Sequence, residues 1–227
     1  MWPLIENIVR VTAIGLAVAA VIIQCRKPRW WLGKLYLWLM NRTHAGLTRW
    51  GLQHVPVQKN DTMLDVGCGG GRNIHTLATT ATRGKVYGID YSPESVAVSR
   101  KNNAELISSG RAKVELGSVS RLPFPDGMFD LITAVETHYY WPDPVNDLRE
   151  VLRVLKPGGH LVIIAEVYKR SDHDMVHPLV MKLLGGRCPS VGEQKHLFAT
   201  AGYSDIETFE EPRKGWFCGM ARRSAGT

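Results

Sequence analysis

One pattern narrows the folds open to this chain more than any other. From Val55 onward, short apolar segments alternate with helical stretches. The spacing predicts strands at Thr62–Val66, Lys85–Ile89, Ala112–Leu116, Phe129–Val135 and Gly159–Val167, with helices near Arg72–Thr80, Pro93–Ile107 and Val145–Leu155. Strands separated by helix-length connections run parallel, so the expected class is α/β. Ser92 before Pro93 is an N-cap with proline at the first helical position. Pro157-Gly158-Gly159 reads as a helix stop before the fifth strand. A last helix near Val191–Ala201 and two late strands, Tyr203–Phe209 and Gly215–Ala221, complete the pattern. Residues 168–190 read as irregular, and no internal repeat is visible.

An apolar fraction of 44% and a charged fraction of 22% exclude a disordered or fibrous chain. Cys25, Cys68, Cys188 and Cys218 are widely spaced and form no CxxC pair. They fit neither a disulfide framework nor a zinc site, which points to a reducing compartment. The formal net charge is +7, but residues 1–50 carry seven basic side chains against one acid, Glu6. The rest of the chain is therefore near neutral, and a nucleic-acid-binding face across it is disfavoured.

The N-terminal segment has a different character. Val11 to Cys25 is uncharged, then come Arg26, Lys27, Arg29, Trp30 and Trp31. Fifteen helical residues reach about 22 Å, short of a ~30 Å hydrocarbon core. Extension back to Pro3 supplies the length and brings in Glu6 and Arg10, which can pair at i,i+4. Basic residues and tryptophans after such a run resemble a cytoplasmic interface. The expectation is a membrane anchor within residues 1–27, contact through residues 3–31, and a cytoplasmic remainder. A signal peptide and a buried or dimer-forming helix are the rivals, and a homodimer is compatible with the sequence. Pro28 ends this segment, and Trp30 to Leu52 reads as helical with a blurred period. Residues 28–54 are expected to form a lid over a domain spanning 55–227.

The first strand runs into Asp65-Val66-Gly67-Cys68-Gly69-Gly70-Gly71. Glycines at a strand-to-helix turn let backbone approach a ligand closely. The second strand ends at Asp90, where an acid can accept two hydrogen bonds from a ribose. A dinucleotide fingerprint needs a small residue where Arg72 stands. Asp65 would also repel a diphosphate. It suits a ligand bearing ammonium or sulfonium charge, as S-adenosyl-L-methionine does.

MLDVGCGGGRN (63–73), VYGIDYSPESV (86–96), LPFPDGMFDLITAVE (122–136) and LREVLRVLKPGGHLVI (148–163) occur in order at these separations. In these stretches the chain resembles the class I S-adenosylmethionine-dependent methyltransferases, specifically the ubiquinone/menaquinone-methylase-like (methyltransferase type 11) group. The resemblance covers residues 55–167 well and the tail more loosely. It implies a Rossmann-like seven-stranded, mostly parallel sheet with an antiparallel last strand, plus N-terminal helices. It also implies methyl transfer from S-adenosylmethionine, leaving S-adenosylhomocysteine. Carried over by position, Asp65, Gly67, Cys68 and Gly69 line the methionine end, and Asp90 holds the ribose with Tyr91 beside the adenine. Ser118 and Val119 stand where an adenine-binding aspartate is usual, a departure that weakens that position. Glu136 stands where the methionine moiety and acceptor meet.

Transfer from a sulfonium is an in-line displacement that needs alignment, and a base only where the acceptor must lose a proton. His138 is the candidate base, with Tyr139 beside it, although shaping of the pocket is the favoured role for both. His173, Asp174 and His177 could hold a metal on a helix, but a solvated loop is favoured and no metal is expected. Residues 168–190 and the helices of residues 30–52 are expected to enclose a small, largely apolar acceptor. The rival functions are a non-catalytic cofactor-binding protein at a membrane and an NAD(P)-dependent oxidoreductase. No Asn/Asp-Pro-Pro-Tyr/Phe motif of nucleic-acid methylation follows the fourth strand.

Overall fold

The computed structural model describes residues 30–171 and 174–225. The apolar run expected to anchor the chain, and His173 of the histidine cluster, lie outside the described residues. Two helices come first, α1 (Trp30–Thr43) and α2 (Ala45–Leu52). The sequence predicts a helical stretch over residues 30–52. The structure divides it at His44, where Thr43 Oγ1 donates to the Met40 carbonyl and Thr48 Oγ1 to the His44 carbonyl. Local side-chain bonds of this kind compete with helix continuation.

The α/β unit follows as β1 (Thr62–Val66), α3 (Arg72–Thr80), β2 (Lys85–Asp90), α4 (Pro93–Asn102), α5 (Ala104–Ser108), β3 (Ala112–Leu116) and β4 (Phe129–Val135). Next come a 3₁₀ turn (His138–Tyr140), α6 (Pro144–Val154) and β5 (Leu155–Ala165). The tail supplies α7 (Val176–Leu183), α8 (Val191–Ala201), β6 (Ser204–Glu211) and β7 (Trp216–Arg222). The helix expected over 93–107 is broken at Asn103. Its amide donates to the Gly71 and Ser99 carbonyls and so ties the helix end to the glycine turn. β5 starts before the predicted Gly159 because Gly158, at φ 80, lets the chain bulge and stay paired. Helix α7 stands within residues 168–190, which the sequence predicts to be irregular throughout. Asp174 accepts the His177 N–H at its start, and Pro178 sits in the first turn, where its missing donor costs nothing.

The sheet order is β3-β2-β1-β4-β5-β7-β6, parallel except for β7, which pairs antiparallel with both β5 and β6. Side chains alternate across it with period two. Leu64, Ile132, Leu161 and Ile163 pack on one face with Leu148 and Val151 of α6 and Phe198 of α8. Met63, Leu131, Val162 and Ile164 pack on the other with Leu47 of α2, Ile74 of α3 and Val96 of α4. Both faces are covered, as parallel sheets require. The order reverses between β1 and β4, and the carboxyl ends of those strands open into a crevice of the kind that binds ligands in such folds. Among the described residues, no helix is long and apolar enough to cross a membrane.

Candidate active site

A cavity of about 570 Å³ opens along the carboxyl ends of β1, β2, β4 and β5. Gly67, Gly69, Asp90, Tyr91, Ser118, Val119, Glu136 and Tyr139 all line it. A smaller cavity of about 180 Å³ shares Leu37, Met40, His44, Gly67 and Gly69, and adds Asp65, Cys68, Arg72 and Asn73. Every cofactor-site residue expected from sequence therefore borders one or both of two adjoining spaces.

The loop after β1 is built for close approach. Gly67, Gly69 and Gly71 have φ of 72, 50 and 79°, a region where a side chain is strained. A Cβ on Gly67 would strike the Thr137 side chain. Asp90 is 7% exposed, and its two oxygens accept the Gly69 and Ser92 N–H groups, both at 2.9 Å. Desolvation raises its pKa above the ordinary value, although those two bonds oppose the shift. Such a carboxylate, held rigid at a cavity wall with lone pairs to spare, suits a pair of ribose hydroxyls.

Asp65 is less available than its charge suggests. Its Oδ1 accepts from Asn73 Nδ2 and Thr133 Oγ1, each at 2.7 Å, and burial lifts its pKa to about 6. The buried Oδ1 of Asn73 has no partner among the described residues. An uncompensated buried acceptor beside Asp65 is what an ammonium group would satisfy. These residues thus fit the amino-acid end of S-adenosylmethionine, with Asp65 acting as part of a network. Cys68 packs inward, 3.9 Å from Ser99 Oγ, and burial pushes its thiol well above the usual range. It is a filler, not a nucleophile.

The candidate base does not face the cofactor space. His138 is buried in the 3₁₀ turn and lines a separate cavity of about 400 Å³ with Ile163, Gln194 and Leu197. Burial alone drops its pKa to about 3, and its Nδ1 has no partner among the described residues. The turn rotates His138 away from the cofactor space and presents Tyr139 and Tyr140 instead. Tyr139 is itself committed. Its hydroxyl donates to Glu136 Oε1 at 2.8 Å and receives the Val167 N–H at 3.3 Å, and burial holds its pKa well above the ordinary value.

The titratable residues that do converge are His44, Glu136 and Glu166, each offering one atom within 4.8 Å of the others'. His44 Nε2 lies 3.2 Å from Glu166 Oε1. Glu136, at the end of β4, adopts φ 56, a strained left-handed conformation for a residue with a side chain. Its Oε1 accepts from Tyr139 and from the Glu166 N–H, and desolvation lifts its carboxyl to about 7. Sequence reasoning missed His44 and Glu166. Glu166 ends an apolar strand at the same sheet edge as Asp90 and Glu136, a signal that could have found it. His44 had only the blurred helix period.

A family model described as a methyltransferase domain matches residues 57–201. An uncharacterised methyltransferase of Schizosaccharomyces pombe is 32% identical over 70% of this chain and 62% of its own length. A 2-methyl-6-phytyl-1,4-hydroquinone methyltransferase of Synechocystis is 37% identical over 58% of this chain and 39% of its own. The chain spans between about a third and three fifths of the length of such curated relatives. Among solved structures, a putative methyltransferase of Haloferax volcanii, in complex with the activator Trm112, superposes with a TM-score of 0.76. It is 22% identical and covers 86% of this chain and 96% of that one.

Proposed function

The chain belongs to the class I S-adenosylmethionine-dependent methyltransferases, and we propose that it methylates a small, largely apolar acceptor bound in the cavity over β4 and β5. When bound, the cofactor supplies an electrophilic methyl group on a sulfonium. Asp65 with Asn73, and the backbone of Gly67, Cys68 and Gly69, hold its amino-acid end. Asp90 takes the ribose, and Tyr91, Ser118 and Val119 enclose the adenine. Glu136 lies where that space meets the acceptor space, braced by Tyr139.

The observation that carries this reading is the continuity of one cavity from Asp90 and Ser118 through Glu136 to Tyr140, Val167, Met181 and Leu184. Its far half is walled by apolar and aromatic side chains from α1, the 3₁₀ turn and α7, which suits an acceptor with an apolar body. Residues 30–52 and 168–190 serve as its lid and side wall. The similar Synechocystis protein is named for a prenylated hydroquinone, which agrees with an acceptor of that kind. Residues 3–31 would hold this mouth near a membrane, and cell fractionation with and without residues 1–27 tests that part.

Calorimetry with S-adenosylhomocysteine and with NADH tests the cofactor. Micromolar binding of the first and none of the second is expected, and the reverse would sink the reading. Labelled-methyl transfer into a lipid-plus-metabolite extract, followed by mass spectrometry, then separates an enzyme from a protein that only binds the cofactor.

A further inference from the structure

We infer that α7 is an interfacial helix, whose outward face lies in the headgroup region of a lipid bilayer and sets the cavity mouth against that surface. The inference goes beyond the anchoring suggested above for residues 3–31, because it gives the folded domain a lipid contact of its own.

The sequence of α7, VHPLVMKL, is apolar nearly all round. Such a helix is ordinarily enclosed on every side. In this chain one side is enclosed, where Met181 packs with Tyr139, Tyr168 and Phe217. The other side faces solvent. Met175, Val176, Leu179, Val180 and Leu183 are between 45% and 75% exposed. Their spacing of i, i+1, i+4, i+5 and i+8 places them on one continuous helix face. An apolar surface of this kind marks a contact with something other than water. Eight helical residues reach about 12 Å, so α7 is too short to span a bilayer and would lie along it.

Charge, position and continuity favour lipid as the occupant. From Met175 to Ser190 the chain carries no acid, while Lys182 and Arg187 are basic and exposed. Lys182 follows Leu179 at i+3 and so edges the apolar face. An apolar face edged by basic side chains matches acyl chains beneath anionic headgroups. The cavity is also walled by α1, through Leu37 and Met40, and α1 likewise turns apolar side chains outward. Its Leu32, Leu35 and Trp38 are exposed, and the Arg42 guanidinium lies 5.2 Å from the centre of the Trp38 ring. Tryptophan and arginine are the residues that sit at a membrane–water boundary. Helix α1 begins at Trp30, directly after the uncharged run Val11–Cys25 and Arg26, Lys27 and Arg29. The apolar N-terminal run thus enters the domain through a helix of this same cavity wall. A second copy of the chain fits less well. A two-fold contact through α7 would bring Lys182 and Arg187 toward their own images, with no acid between residues 175 and 190 to offset them.

The test uses the full chain with vesicles of phosphatidylcholine and about a third phosphatidylglycerol, which supplies the negative charge. Hydrogen–deuterium exchange is read by mass spectrometry. Vesicles should slow amide exchange across 175–184 about 10-fold or more and leave 104–111, at the far edge of the sheet, unchanged. Leu179→Asp combined with Leu183→Asp should remove that slowing and weaken vesicle binding about 10-fold or more. Both side chains point outward, so the variant should bind S-adenosylhomocysteine within about 3-fold of the unmutated chain. A chain that sediments with vesicles while 175–184 exchange at the lipid-free rate would overturn the inference, by leaving residues 3–31 as the whole contact. Absence of vesicle binding would overturn it too. So would slow exchange of 175–184 without lipid at every protein concentration, which means a cover from within the chain, or slowing that follows protein concentration without lipid, which means a second copy.

Discussion

Asp90 shows how much one side chain can concentrate. It fixes the glycine loop through Gly69 N–H, caps the chain entering α4 through Ser92 N–H, and still faces the cavity. Asp90→Ala removes charge-assisted bonds worth about 1.5–3 kcal/mol each. It is expected to weaken S-adenosylhomocysteine binding by about 30-fold or more in calorimetry. Glu136 gives a pH signature. Its folded-state carboxyl is raised to about 7, so the native state binds more protons than the unfolded chain between about pH 4.5 and 7. Its contribution is thus present at pH 4.5 and lost as pH rises through 7. Glu136→Gln keeps an acceptor for Tyr139 and removes the charge. Urea melts should show the variant gaining on the unmutated chain between pH 5 and 8, by on the order of 2 kcal/mol; parallel curves would contradict the assignment. His138 titrates with the opposite sign. Its pKa is lowered to about 3, so it favours the folded state increasingly as pH rises from about 3 to 6.5. His138→Gln should leave the ascending limb of the kcat–pH profile where it is.

Among the elements, α2 and α7 decide the shape of the acceptor space. α2 seats on β5 through Gly51, where a Cβ would lie 2.5 Å from Ile164 Cδ1. Gly51→Ala forces the two apart at an overpacking cost of about 1–3 kcal/mol. It should lower Tm and loosen the His44–Glu166 approach, seen as a fall in the His44 pKa by NMR. α7 buries Met181 and leaves Val176, Leu179, Val180 and Leu183 exposed, so little packing holds it. Its start depends on Asp174, which accepts His177 N–H and lies 2.9 Å from His177 Nδ1, bonds that hold its pKa at about 2. Asp174→Ala should raise the rate of limited proteolysis within 171–185 while leaving cleavage elsewhere unchanged.

Across the molecule, the crevice joins α1, α2, four strand ends and α7, so ligand binding couples parts distant in sequence. Saturation with S-adenosylhomocysteine at 100 times its Kd should add about 2.7 kcal/mol of stability. For a chain of this size that is a rise in Tm of about 5–11 °C. The rise should shrink sharply in Asp90→Ala, and an equal rise in that variant would separate the ligand from this crevice.

The frame of this protein was written locally. Strands alternating with helices show as short, nearly continuous apolar runs, the loop after β1 needs glycine for its positive φ, and an acid ending β2 must face the crevice once the sheet is parallel. Each follows from a few neighbouring residues, so the sheet, the turn and Asp90 were legible. The acceptor end was not. His138 looked suitable by position, yet one 3₁₀ turn rotates it into a different cavity, and a turn's phase is set by packing of Tyr139 and Trp141 against the core. His44 reaches the site because a helix break more than a hundred residues before Glu166 meets the end of β5. Contacts between remote segments depend on how whole layers stack, and no local spacing encodes that.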